Sequence, residues 1–299
     1  MPLQTLDVKD ILPVVQPGDI LAFSGKGNII SDLVRAATGS IVSHVGIVLN
    51  SQTAAMQPRI IESTSLGGFS GVTVTDLAMR VSYYPGLIWY LPLSSDNQKK
   101  ADSAKLEYWL LQQKGKQYDT WGAVESALLE WEQSDYWRKI SSHLPSFFSH
   151  AEQKPVTEWF CSELASAALQ QVGVIPDSLN PDLIRPTDLV GLQIYSGTYY
   201  QIKPTGDKTA IPEYNSSPLE SEAIFQKALV SKKPDVIYEV GRTFESLGIT
   251  NKATALYKRS MELETSKRKV ILIGAGVLAA LYVLGRYIPW NMMFRRMTP

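Results

Sequence analysis

Cysteine is almost missing from this chain. Cys161 is the single one in 299 residues, so no disulfide can close within the chain and no paired-cysteine zinc spacing exists. Histidine is nearly as scarce: His44, His143 and His150 form no HExxH pattern, and neither a metal site nor a cofactor is expected. An excess of one charge is lacking too, since 29 basic residues face 29 acidic ones. Such a balance offers a phosphate backbone nothing to bind, which argues against a nucleic-acid partner. The N-terminus has no basic start followed by an apolar stretch, so no secretion signal is expected and the main body is assigned to the cytosol.

Long apolar runs are absent except for one. Val270 to Gly285 carries no charge and is preceded by Lys267, Arg268 and Lys269, with Arg286, Arg295 and Arg296 beyond it. A helix of that length rises about 24 Å. The hydrocarbon core is about 30 Å thick, so Arg286 would have to snorkel and Tyr287, Ile288 and Trp290 extend the span. The expectation is a single-pass C-terminal membrane anchor with the catalytic domain facing the cytosol.

What is present reads as a mixed α+β chain. Pro17-Gly18-Asp19 turns into a short apolar strand, and further strands are expected at 42–49, 59–63, 71–75 and 87–92, in a sheet covered on one side. Helices are expected at 28–38, 96–114, 120–142 and 161–173, followed by a strand-like stretch at 191–202. Pro, Thr, Gly and Ser then dominate, which reads as a linker. The expected domains are a catalytic domain at 1–205, a linker at 206–218, a helical hairpin module at 219–266 and an anchor with a short tail at 267–299.

Chemistry concentrates in two places. Trp159-Phe160-Cys161-Ser162-Glu163-Leu164 puts the thiol where a helix begins, and the positive end of the helix dipole favours the nucleophilic thiolate. Ser43-His44-Val45-Gly46 puts an imidazole at the start of an apolar strand. Thiol acyl transfer needs a nucleophile, a base that later protonates the leaving group, and a polar group that orients the base. Cys161, His44 and, from the neighbouring strand, Glu62 fill these roles. Tyr118, Trp159 and Ser162 are candidates for binding substrate, and backbone N–H groups around Cys161 for holding an oxyanion. Glu163 is read as serving the helix terminus. Trp121, Val124, Leu128, Trp131 and Trp137 make an apolar stripe that reads as core or as a lid.

The order of these parts resembles a family. The Pro-Gly-Asp strand, Ser43-His44-Val45-Gly46, Ile61-Glu62 followed by Gly71-Val72, Gly115-Lys116-Gln117-Tyr118-Asp119, Phe160-Cys161-Ser162-Glu163 and Arg185-Pro186-Thr187-Asp188 resemble the permuted papain-like amidases of the YaeF/YiiX group, in the NlpC-type superfamily. In that group the chain is circularly permuted and histidine precedes cysteine, as here. The resemblance covers about residues 14–195. It implies a circularly permuted papain-like fold, with Cys161 as nucleophile, His44 as base and acid, and Glu62 as the orienting residue. Residues 219–263 separately resemble about one and a half tetratricopeptide repeats, through Val240, Gly241, Phe244, Gly248, Ala253, Tyr257 and Met261. A protein partner there is one expectation; a plain helical spacer is the other.

The expected activity is therefore that of a cysteine hydrolase of the amidase or peptidase type, cleaving a peptide or isopeptide-like bond through a thioester on Cys161. Two alternatives stand beside it. One is a lipid-directed thiol acyl hydrolase or acyltransferase, similar to lecithin retinol acyltransferase relatives, taking an acyl-lipid substrate. The other is a non-catalytic membrane scaffold.

Overall fold

Apolar β-branched runs bounded by turn residues become the strands of a single large sheet. The computed structural model describes residues 3–25, 35, 40–51, 56–65, 70–118 and 158–265. Its strands are β1 (Leu3–Thr5), β2 (Ile20–Ser24), β3 (His44–Asn50), β4 (Arg59–Thr64), β5 (Gly71–Asp76), β6 (Leu87–Leu91) and, after a small two-stranded pair β7 (Gln117–Tyr118) and β8 (Glu158–Trp159), β9 (Tyr199–Lys203). The seven-stranded sheet runs β1-β9-β6-β2-β3-β4-β5, antiparallel except where β1 lies parallel to β9.

The sheet is covered on both faces, not on one. Every residue of β2 and β3 is buried, as expected of strands that read as continuous apolar runs. One core layer holds Ile20, Ala22, Val45, Ile47 and Ile61 together with Cys161 and Leu164. The other holds Leu21, Phe23, Val48 and Ile60 beneath Ile11, Leu77, Val81 and Tyr84. That second layer is closed by the helices α1 (Val8–Ile11) and α2 (Leu77–Tyr83). Helix α2 was not foreseen; Asp76 caps it by accepting from the Met79 N–H at 2.9 Å.

The expected helix at 96–114 is two, α3 (Ser95–Lys100) and α4 (Ser103–Gln113), because Asp102 starts a new cap by accepting from the N–H groups of Ala104 and Lys105. The cysteine helix is α5 (Cys161–Gln171), buried at every position from Cys161 to Leu169. The expected strand at 191–202 shrinks to β9: Gly191 ends α6 (Pro186–Gly191), and 192–198 form turns and isolated bridges. Arg185 and Asp188 set that helix: the Asp188 carboxylate accepts from the Arg185 backbone N–H at 3.1 Å and from its Nε at 2.7 Å.

Residues 206–218 are tied to the sheet. The indole of Trp89 donates to the Thr209 carbonyl at 2.8 Å, the Tyr199 hydroxyl accepts from the Ile211 N–H at 2.8 Å, and the Tyr214 hydroxyl donates to the Ser196 carbonyl at 2.7 Å. By its internal contacts the chain divides into Met1–Gln226 and Lys227–Pro299; α7 (Leu219–Leu229) spans that boundary. Within the second unit, α8 (Pro234–Ser246) and a helix at 250–265 run back along each other. Gly241 makes this possible, since a β-carbon there would stand 2.9 Å from the Tyr257 ring. Phe244, Ala253 and Leu256 are buried, while Met261 is exposed.

The expected membrane anchor is corrected. Among the described residues no helix is long and apolar enough to cross a membrane, and 270–285 lie outside them. The run between Lys269 and Arg286 is also short: sixteen residues would rise only about 24 Å if helical, against about 30 Å of hydrocarbon. The single transmembrane helix and the membrane localisation thus have no support among the described residues, and what stands of the fold class is a mixed α+β domain with a seven-stranded sheet. The expected helices at 28–38 and 120–142, the tryptophan stripe, His143 and His150 also lie outside the described residues, Arg35 excepted.

Candidate active site

His44 is the first residue of β3, at the rim of the sheet, where a side chain can meet groups from both core layers. Its Nε2 stands 2.6 Å from Oε2 of Glu62 on β4. The Cys161 sulfur is near enough to act on the imidazole electrostatically, raising its pKa. Cys161, His44 and Glu62 are thus brought together at this end of the sheet. All three are buried, at 1% exposure for Cys161, 5% for His44 and 2% for Glu62.

Gly46 lies between His44 and Ile47 on β3, facing β4. The Ile47 to Ile61 pairing, continued by one residue, sets Gly46 opposite Glu62. A β-carbon on Gly46 would stand 2.5 Å from Ile60 Cδ1 and 3.4 Å from the Glu62 β-carbon. The motif His-Val-Gly therefore has a mechanical reading: glycine leaves room for Ile60, which packs over β3 beside Glu62.

Gly71 plays a similar part for Tyr118. Its φ is +114°, and the Lys116 carbonyl oxygen lies 2.3 Å from where its β-carbon would be. That carbonyl accepts from the Val72 N–H at 2.8 Å, which brings β7 against β5. Tyr118 then pairs with Trp159 in the β7–β8 ladder, and its ring meets Phe160 edge-on at 6.2 Å. Tyr118 lies beneath the segment that leads into Cys161.

The other expected substrate residues flank the thiol in different ways. Trp159 packs edge-on against Trp109 at 5.7 Å, under the Lys116 ammonium, and its carbonyl accepts from the Ser63 hydroxyl at 2.6 Å. Ser162 is fully buried, and its hydroxyl has no hydrogen-bond partner. Glu163 turns back on its own helix, accepting from the Phe160 N–H at 3.1 Å. The first backbone bond inside α5 runs from Leu164 N–H to the Phe160 carbonyl, so the N–H groups of Cys161 and Ser162 precede the helical ladder and suit an oxyanion.

One participant escaped the sequence reading. Arg80 on α2 donates from Nε to Glu62 Oε1 at 2.5 Å and from Nη2 to Oε2 at 2.9 Å. Its guanidinium lies 4.8 Å from the Phe23 ring centre and 4.9 Å from that of Tyr84. A lone arginine in the apolar stretch Leu77-Ala78-Met79-Arg80-Val81, one helical turn before Tyr84, is the signal that could have found it.

These contacts set the protonation states. Burial alone would raise the Glu62 carboxyl, but hydrogen bonds from His44 and Arg80 and their charges bring it down to about 2. Burial alone would lower the His44 imidazole; the charge of Cys161, then the hydrogen bond and charge of Glu62, outweigh it and raise it to about 9. At neutral pH the arrangement holds an imidazolium against a carboxylate. Elsewhere, Asp19 of the Pro-Gly-Asp turn is pushed up to about 6, chiefly by burial. It accepts from Tyr90, Leu93 and Gln16 and clamps the start of β2 to the end of β6. Among the described residues no group of three or more His, Cys, Asp or Glu side chains could hold a metal ion.

No protein-family model matches the sequence, and no curated protein matches it. Among solved structures, the chain is similar to the metalloprotein YiiX (DUF1105) of Escherichia coli O157:H7, at 19% identity over 56% of this chain and 77% of that one, with a TM-score of 0.32. So low a score carries nothing about activity from that protein to this one.

Proposed function

We propose that the chain is a cysteine hydrolase of the amidase type that works through a thioester on Cys161. The observation that carries this reading is His44, held to Glu62 at 2.6 Å and raised in pKa by the nearby sulfur of Cys161, all three side chains buried. The order of motifs, histidine before cysteine, supports placing it beside the permuted papain-like amidases that the sequence resembles.

The steps follow from these positions. The Cys161 thiolate attacks the substrate carbonyl carbon, forming a C–S bond, and the oxyanion is held by backbone N–H groups at the start of α5. As the C–N bond breaks, the His44 imidazolium gives its proton to the departing amine. Neutral His44 then takes a proton from water, whose oxygen attacks the thioester carbonyl. The C–S bond breaks, the sulfur leaves as thiolate beside the imidazolium, and amide plus water has become acid plus amine. Because Cys161 is 1% exposed, groups over it must move before a substrate reaches it.

Intact-mass analysis of the full chain after acid quenching of a lysate tests the proposal. Wild type should carry an acyl adduct on Cys161 whose mass names the acyl group, and Cys161→Ser and His44→Ala should carry no thioester. Equal adducts on wild type and His44→Ala would contradict it.

A further inference from the structure

We infer that Arg80 is a positioning residue for this site: it grips both oxygens of Glu62 while packed against the rings of Phe23 and Tyr84, and so fixes the anion against which the His44 imidazole is held for Cys161. The inference rests on the thiol reading above and adds a fourth member to it.

The geometry separates this contact from an ordinary ion pair. The Arg80 side chain is 14% exposed and that of Glu62 1%, so water screens the pair little. The guanidinium meets the carboxylate with two N–H groups, a fork that fixes the carboxylate plane as well as neutralising it. Oε2 receives both Arg80 Nη2 and His44 Nε2, so the arginine aims the oxygen that the imidazole uses.

Arg80 is itself held in place. Phe23 and Tyr84, edge-on to each other at 4.9 Å, lie on the guanidinium, and the Phe23 ring also meets the His44 imidazole at 5.4 Å. At the end of α2, the Lys203 ammonium donates to the carbonyls of Val81 and Ser82 at 2.8 and 2.7 Å, which pins the helix that carries Arg80. A lysine at position 80 would supply charge without the fork.

Charge counting gives the consequence. The groups that face Glu62 and its partners are His44 on β3, Arg80 and Tyr84 on α2, and Cys161 on α5 facing His44, with Arg35 acting on Tyr84. In the thiol reading proposed above, thiolate, imidazolium, carboxylate and guanidinium sum to zero. Without Arg80 the buried set carries an excess negative charge, and a proton on Glu62 is the cheapest relief. A protonated Glu62 no longer holds the imidazolium. Arg80 thus extends the working range of the site toward acid.

Titration of the His44 ring by NMR in the full chain, with iodoacetamide alkylation of Cys161 alongside, tests this. Wild type should give a flat His44 signal from pH 4 to 6. Arg80→Met should show an inflection there as Glu62 takes up a proton, and alkylation at pH 5 should slow about tenfold, with methylguanidinium restoring part of the rate. Arg80→Lys should fall between, and Arg80→Met combined with Glu62→Gln should lose the inflection. Should Arg80→Met fail to fold, Arg80→Lys and the double variant carry the test. A merely structural arginine would lower thermal stability without an inflection, and that result would overturn the inference. Wild-type alkylation no faster than that of His44→Ala would instead sink the thiol reading itself.

Discussion

The Ser63 hydroxyl donates to the Trp159 carbonyl over 2.6 Å. Ser63 follows Glu62 on β4, and Trp159 stands two residues before Cys161, so this one bond ties the strand of the orienting carboxylate to the helix of the nucleophile. Ser63 points to the face opposite Glu62, which leaves the carboxylate free for His44 while its neighbour anchors the thiol segment.

Replacing Ser63 by alanine removes the donor and leaves a carbonyl short of a partner. The expected cost is about 1–2 kcal/mol in urea unfolding, together with slower alkylation of Cys161 as β4 and α5 loosen. Unchanged stability with an unchanged alkylation rate would show that the bond positions nothing.

Gly46→Ala should be destabilising beyond its one methyl group. The added carbon meets Ile60 Cδ1 at 2.5 Å, and overpacking of this kind costs about 1–3 kcal/mol. Ile60→Val removes that same Cδ1 atom, so Gly46→Ala combined with Ile60→Val should recover part of the loss. Denaturant midpoints of the four proteins in the cycle decide it.

The pH dependence of stability carries a sign for each buried group. His44 is raised from 6.5 to about 9, so its contribution is fully present below about pH 6.5 and lost as pH rises through about 9. Glu62 is lowered from 4.5 to about 2, so its contribution is present above about pH 4.5 and lost as pH falls through about 2. The stability difference between wild type and His44→Gln should therefore shrink on the alkaline side, and that between wild type and Glu62→Gln on the acid side. Each proton is worth up to about 1.4 kcal/mol per pH unit crossed. Unfolding curves at four or five pH values read both.

Local pattern made much of the fold legible. β2 to β6 lie close to where apolar runs and turn residues place them, and α5 begins at Cys161 as the aromatic-to-alanine change suggests. Coverage of the second sheet face was not legible, because α2 is seven residues long and its apolar face consists of Leu77 and Val81. Arg80 went unseen for the same reason: its importance comes from a carboxylate eighteen residues away on β4, and no local spacing encodes that pairing. The membrane expectation rested on the apolar run at 270–285, which lies outside the described residues; among those, no helix is long and apolar enough to cross a bilayer. His44 and Glu62 were findable because adjacent strands bring neighbours together in register.

The central claim is that thiol and imidazole meet and share a proton. The most direct measurement is the NMR titration of His44 in wild type and in Cys161→Ala, with His143 and His150 assigned by substitution. The account predicts a wild-type midpoint near 9 and a clear fall in Cys161→Ala, where the sulfur's charge is gone. A His44 midpoint that is the same in both proteins would contradict it.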